Sequence, residues 1–178
     1  RDARPVIAPG AHADALLRRH VLAQMAEAFR KEKLDALLVK GAALALTVYP
    51  DPAARRMSDI YVLVREPDQA RAVRALERLG WLVGQDGSRN LSRVMLGETM
   101  VQARVGSMTF TVEVHASLDK VVRRPIAFAR LLQRSSAAPG LEGLSVPSRE
   151  DHALLVALHA STHEFRHTLA LQDMELLL

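Results

Sequence analysis

Two short runs of the sequence each carry a pair of chemically capable residues two positions apart: Asp59 with Tyr61, and Glu113 with His115. In an extended chain residues i and i+2 point to the same side, so each pair presents its groups together. Carboxylates offer hard oxygen donors of the kind magnesium prefers, and imidazole adds a nitrogen. The chain has no cysteine, which excludes disulfides and thiolate metal sites and leaves His, Asp and Glu as the strong protein ligands. Lys40-Gly41 closes an apolar run: a glycine there either supplies a positive φ in a strand-end turn or lets the backbone meet a phosphate. Arg55 and Arg56 stand just before Asp59, and by default loop arginines are solvated charges. Asp59 at a strand's polar edge has a plain reading as a solvated residue, and Glu113 with His115 as a surface pair with an ordinary hydrogen bond. His159 and His163, flanked by His152 and His167, have the spacing of a two-histidine zinc site, but no glutamate follows His159. An amphipathic helix that carries histidines is the better reading, with Glu164 and Arg166 as solvated surface.

The elements that must hold these residues follow from periodicity. Residues 12–32 place Leu16, Leu17, His20, Val21, Ala23, Met25, Ala28 and Phe29 at three and four spacing, an amphipathic helix. Residues 34–39 read as a strand, Lys40-Gly41 as a turn and the small residues 42–45 as the start of a helix. Tyr49-Pro50-Asp51-Pro52 stops that helix, because proline lacks the amide donor and restricts its predecessor. A loop through Arg55 and Arg56 leads to a strand in which Ile60, Val62 and Val64 alternate with Asp59, Tyr61 and Leu63. Ala70, Val73, Leu76 and Leu79 mark a helix over 67–79 with Gly80 as its stop, and Trp81 opens another strand. A surface loop over 84–92 precedes antiparallel strands over 93–96, 100–105 and 108–115, with Gly106-Ser107 as a hairpin. In the last of these Phe110, Val112 and Val114 form the apolar face. After Pro125 a helix runs to about Arg134, and a linker rich in Ser, Ala, Pro and Gly reaches Pro147. Ser148 and Asp151 then have capping-box spacing before two terminal helices. There is no internal repeat.

Composition bounds the answer. With 178 residues, 49% hydrophobic and 25% charged, the chain suits one folded domain with a real core. Aromatics are only 4%, so Leu, Val and Ala must build that core, which favours helices on a small sheet, an α+β (α/β-like) fold. The apolar stretches fall short of the roughly 18–20 residues that cross a bilayer, and no leader is visible, so a cytoplasmic protein without membrane partners is expected. The chain begins at Arg1 and ends in Glu175-Leu176-Leu177-Leu178, so flanking residues are expected at both ends. A net charge of +4 and a pI near 10.0 are compatible with an anionic partner. The arginines are scattered apart from the run over 121–124, and no aromatics interleave with them as a single-strand stacking platform requires. A solvated surface explains them equally well. Nucleic-acid binding therefore rests on pI alone and ranks last.

The segments Leu38-Val39-Lys40-Gly41-Ala42-Ala43-Leu44, Tyr49-Pro50-Asp51-Pro52 and Arg55-Arg56-Met57-Ser58-Asp59-Ile60-Tyr61-Val62-Leu63-Val64 together resemble a branch of the DNA polymerase beta-like nucleotidyltransferase superfamily, the uncharacterised nucleotidyltransferases. Val112-Glu113-Val114-His115 and Leu171-Gln172-Asp173-Met174-Glu175-Leu176-Leu177 extend the resemblance over residues 34–177. It implies a mixed sheet flanked by helices. Residues 1–33 would then be an N-terminal helix, 34–118 the nucleotidyltransferase-like core and 119–178 a C-terminal helical segment that continues further. It also implies a nucleoside triphosphate with magnesium as substrate and cofactor, and transfer of a nucleotidyl group to an acceptor with a hydroxyl, whether small molecule, protein or RNA. Asp59 would be the first metal ligand and Glu113 the third, with His115 assisting, while Lys40, Gly41 and Arg55 would face the phosphates. Tyr61 departs from the pattern, for a neutral phenol stands where the second acid belongs. One magnesium is then expected rather than two, with residual transfer. The alternative is a catalytically inactive nucleotide-binding or regulatory module with a protein partner.

Overall fold

The computed structural model describes residues 7–84, 97–117, 126–162 and 168–178. Within them a seven-stranded mixed sheet is flanked by six α-helices, the expected α+β class. In chain order these are α1 (Ala11–Lys31), β1 (Ala36–Val39), α2 (Lys40–Thr47), β2 (Asp59–Val64), α3 (Gln69–Glu77), β3 (Leu82–Val83), β4 (Glu98–Val105), β5 (Met108–His115), α4 (Phe128–Gln133), β6 (Ser136–Ala137), β7 (Ser145–Val146), α5 (Arg149–Thr162) and α6 (Thr168–Leu177). The sheet order is β3-β4-β5-β2-β1-β7-β6. β2 runs parallel to β5 and antiparallel to β1, with Tyr61 opposite Glu113 on one side and Val39 on the other.

The alternation in β2 and β5 decides which face is core. Ile60, Val62, Val64, Val112 and Val114 point to one side and pack with Met25 and Phe29 of α1 and Leu76 of α3. Fully burying one such side chain contributes on the order of 1.5–3 kcal/mol. On the other side Leu37, Val39 and Leu63 pack with Leu131 of α4 and Leu155 of α5. That cover sits over the Leu63 end of β2, and the Asp59 end opens onto a cleft. α6 is anchored where Leu44 and Tyr49 meet Val156 and Leu177.

The structure departs from the periodicity in places with identifiable causes. α1 buries Val21, Leu22, Met25, Ala26, Ala28 and Phe29, whereas Leu16, His20 and Ala23 are exposed, because at i, i+4 and i+7 they share the helix face turned to solvent. α3 buries Ala72, Ala75 and Leu76, and Leu79 falls in the exit turn, 41% exposed. The Ser, Ala, Pro and Gly stretch after α4 is more than a linker. It folds back so that β7 pairs parallel with β1 and antiparallel with β6. Gly143 makes this fit: at φ 103, a Cβ there would lie 2.3 Å from the Ala26 carbonyl oxygen of α1. The strand expected over 100–105 begins two residues earlier, at Glu98, and the Gly106-Ser107 hairpin is present with Val105 opposite Met108. Ser148 caps α5 by accepting from the Asp151 N–H at 3.2 Å, but the Asp151 carboxylate turns to Arg134 instead of closing a capping box. The expected strand over 93–96, the loop over 85–92, the basic run over 121–124, and His163, Glu164, Arg166 and His167 lie outside the described residues.

Candidate functional site

α2 begins directly where β1 ends, so Lys40 is its first residue. The turn is made by Lys40 itself, at φ 55, and not by Gly41. A lysine in the left-handed region is sterically disfavoured, on the order of 1–2 kcal/mol. Gly41 has a different task. A Cβ there would stand 3.3 Å from the guanidinium of Arg55, so the missing side chain lets that group lie flat against the start of α2.

Asp51 prepares Arg55 by capping the short 3-10 turn Pro52–Ala54, accepting from the Ala53 N–H at 2.8 Å. The Arg55 guanidinium then forks onto Asp173 of α6, Nε–H donating to Oδ1 at 2.7 Å and Nη2–H to Oδ2 at 2.6 Å. The pair is buried, with 11% and 3% of the two side chains exposed. The Tyr49 hydroxyl donates to the same carboxylate at 2.8 Å, and Arg55 also donates to the Arg56 carbonyl. Removing one partner of such a pair strands a buried charge, which is why it holds α6 firmly against the cleft.

Tyr61 stands at the centre of the site. Its hydroxyl donates to Asp59 Oδ2 at 3.2 Å, the ammonium of Lys40 sits 3.3 Å from its ring centroid, and the His115 ring stacks on it at 5.2 Å. His159 of α5 approaches at 6.1 Å. Burial pushes the phenol pKa up, and the charges of Glu113 and Asp59 push it further, so Tyr61 stays neutral at any physiological pH. A cation over an aromatic face is attractive, so the ring holds the Lys40 charge beside Asp59.

His115 is not a surface residue, as the plain reading of the Glu113 pair would have it: only 1% of its side chain is exposed. Its Nε2–H donates to Glu113 Oε2 at 3.0 Å. Its Nδ1 is buried without a hydrogen-bond partner and lies 3.9 Å from Glu98 Oε2 on β4. Among the described residues, Glu98, Glu113 and His115 place three metal-competent donors within 4.8 Å of one another. Asp59 stands outside this cluster.

A cleft of about 820 Å³ collects Lys40, Gly41, Arg55, Asp59 and Tyr61, all singled out from the sequence, and adds His159. Glu113 and His115 adjoin it across Tyr61. The sequence reading missed Glu98 and Asp173. Counting the β4–β5 register back from the hairpin puts Glu98 opposite His115, a signal available once the strand is extended by two residues. Asp173 gave a weaker signal, one of two acids in the largely apolar α6. His152 of α5 is buried. Burial lowers its pKa to about 4, against the opposing effects of a backbone hydrogen bond with Lys40 and the charge of Asp173.

A cleft that brings Lys40, Arg55 and Arg56 together with the Asp59 carboxylate suits a polyanion brought in with a metal ion. No helix among the described residues is long and apolar enough to cross a membrane. No curated protein matches the chain. The profile of a family described as uncharacterised nucleotidyltransferases matches residues 10–178, and the chain belongs to that family.

Proposed function

We propose that the cleft binds a nucleoside triphosphate together with one magnesium ion and transfers a nucleotidyl group slowly to a hydroxyl-bearing acceptor. The observation that carries this reading is the meeting of Lys40, Gly41, Arg55 and Asp59 in one cleft beside Glu113, in a chain of this family. The donor set suits a divalent ion: the carboxylates of Asp59 and Glu113 share one sheet face, two register positions apart. Asp59 and Glu113 would hold the ion, with His115 beside them. When bound, it would offset the charge of the triphosphate and of the departing pyrophosphate. Lys40 directs positive charge along the Tyr61 ring toward the phosphates. Arg55 serves first to fix α6 through Asp173, and its electrostatic pull on an anion is correspondingly reduced. Tyr61 adds no charge where a second carboxylate would draw a second ion, which is why the transfer is slow.

Tyr61 also favours a second reading, a nucleotide-binding module that performs no transfer. Its hydroxyl already engages Asp59, and its ring already engages Lys40. Calorimetric titration with magnesium and each of the four ribonucleoside triphosphates, followed by a pyrophosphate-release assay, separates the two. Magnesium-dependent binding with release that disappears in Asp59→Ala supports the transferase. Binding without release supports the module. Absence of binding by every nucleotide overturns both.

A further inference from the structure

We propose that His152 is a positioning residue: its Nδ1–H holds the carbonyl of Lys40, fixes the left-handed turn there, and so aims the Lys40 ammonium over Tyr61 in the cleft. The use of that aim, contact with a triphosphate, rests on the nucleotide reading. The aim itself does not.

A lysine at φ 55 is strained, and such a conformation persists only where its surroundings over-determine it. The local chain does not do so: α2 has no side-chain cap, and Gly41, which could take a positive φ freely, is the next residue along. The hold comes from α5. The His152 imidazole is 2% exposed and hydrogen-bonded to the Lys40 backbone. That bond favours the protonated ring, as donation to the carbonyl does and acceptance from the N–H does not. Nε2 is buried without a hydrogen-bond partner, so the bond is made by Nδ1. A carbonyl only accepts, which places the proton on Nδ1 and leaves Nε2 bare.

Packing alone does not ask for an imidazole here. An apolar side chain would fill the space without leaving a buried nitrogen unsatisfied, so what histidine adds is the donor. Burial lowers its pKa to about 4, so the ring is neutral at pH 7 and does not repel the ammonium it positions. Its own helix is fixed at this point. Asp151 accepts from Arg134 Nε–H at 2.8 Å and from Nη2–H at 2.5 Å. Arg149 donates to the Leu177 carbonyl at 2.7 Å and to that of Leu176 at 2.9 Å. A braced first turn of α5 thus carries the imidazole that fixes the backbone behind the cation.

The test is made on the whole chain by nuclear magnetic resonance and calorimetry. In the wild type at pH 7 the ring-nitrogen shifts of His152 should show a protonated Nδ1 and a bare Nε2, a readout that needs no variant. Lys40 is one of four lysines, so its Cε protons can be assigned, and the Tyr61 ring should shift them upfield. His152→Leu should abolish that upfield shift and weaken the binding of magnesium ATP about 10-fold. His152→Asn, whose amide N–H stands where Nδ1–H stood, should keep the shift and bind ATP within about threefold of the wild type. A merely structural role predicts instead that affinity follows stability in both variants while the lysine shift stays put. A protonated Nε2, an upfield shift that survives in His152→Leu, or one that is lost in a folded His152→Asn overturns the proposal. Should His152→Leu fail to fold, the wild-type tautomer and His152→Asn decide. A wild type that binds no ATP yet shows the expected tautomer and lysine shifts sinks the nucleotide reading and leaves the positioning role standing.

Discussion

Strands β2 and β5 carry the same device, functional residues at i and i+2 on one face, and the sheet puts the two copies to different use. Asp59 and Tyr61 lie at the end of β2 that opens into the cleft, and helices bring them their neighbours: Lys40 from α2 and His159 from α5. Glu113 and His115 lie in register with Tyr61 and Leu63, toward the end of the sheet covered by α4 and α5, and a neighbouring strand brings them Glu98. Identical spacing therefore yields a half-exposed pair that can meet a ligand and a buried pair that must find its partners within the protein. What separates them is the cover over each end of the sheet.

The largest effect should come from removing what fastens the open side. Arg55→Ala leaves the Asp173 carboxylate buried and unpaired, and chemical denaturation should show a loss of about 3–5 kcal/mol. Glu98→Gln on the covered side, measured in chelator, should change stability by less than about 1 kcal/mol, since only a partly exposed carboxylate is neutralised. Equal losses would break the contrast between helix-held and strand-held pairs.

Acid should act through the covering helix. His152 in α5 is neutral in the folded chain, its pKa lowered to about 4 by burial, against an ordinary 6.5 when unfolded. Between those values the unfolded chain binds the extra proton, so this contribution is complete above about pH 6.5 and is lost as the pH falls toward 4. Its size is on the order of 3 kcal/mol. Unfolding free energies at pH 7 and pH 4.5 should differ more in the wild type than in His152→Gln, and identical pH profiles would refute the assignment.

Tyr61→Asp makes the open pair acidic at both positions. In chelator the added carboxylate, close to Asp59 and Glu113, should lower stability by about 1–2 kcal/mol, and magnesium well above its dissociation constant should restore a similar amount. A melting temperature indifferent to magnesium would show that the open end cannot gather ions even with its second acid. Tyr61→Phe is the gentlest change. It deletes only the hydroxyl bond to a half-exposed Asp59, which water can replace, so a loss of no more than about 1 kcal/mol is expected by thermal melting.

Much of this arrangement was legible in the sequence because it rests on local signals. Alternation over residues 59–64 and 108–115 fixes which residues share a face, and Gly106-Ser107 fixes the hairpin. What escaped is non-local or too short to have a period. β6 and β7 are two residues each and exist because β1 offers an edge, so no pattern announces them. Glu98 becomes a neighbour of His115 only through the ladder, and Asp173 a partner of Arg55 only through the docking of α6. The left-handed Lys40 defeated the rule that glycine takes such conformations, since the adjacent Gly41 is needed to make room for a guanidinium instead.

The bridge between Arg55 and Asp173 joins residues 118 positions apart. Chains grow at about 5–20 residues per second, so Asp173 is made roughly 6–24 s after Arg55. Strands β1 and β2 are thus complete well before the carboxylate that closes over them exists. On the ribosome the cleft is assembled wall first and fastening last, and for that interval the guanidinium destined for Asp173 is open to any anion nearby.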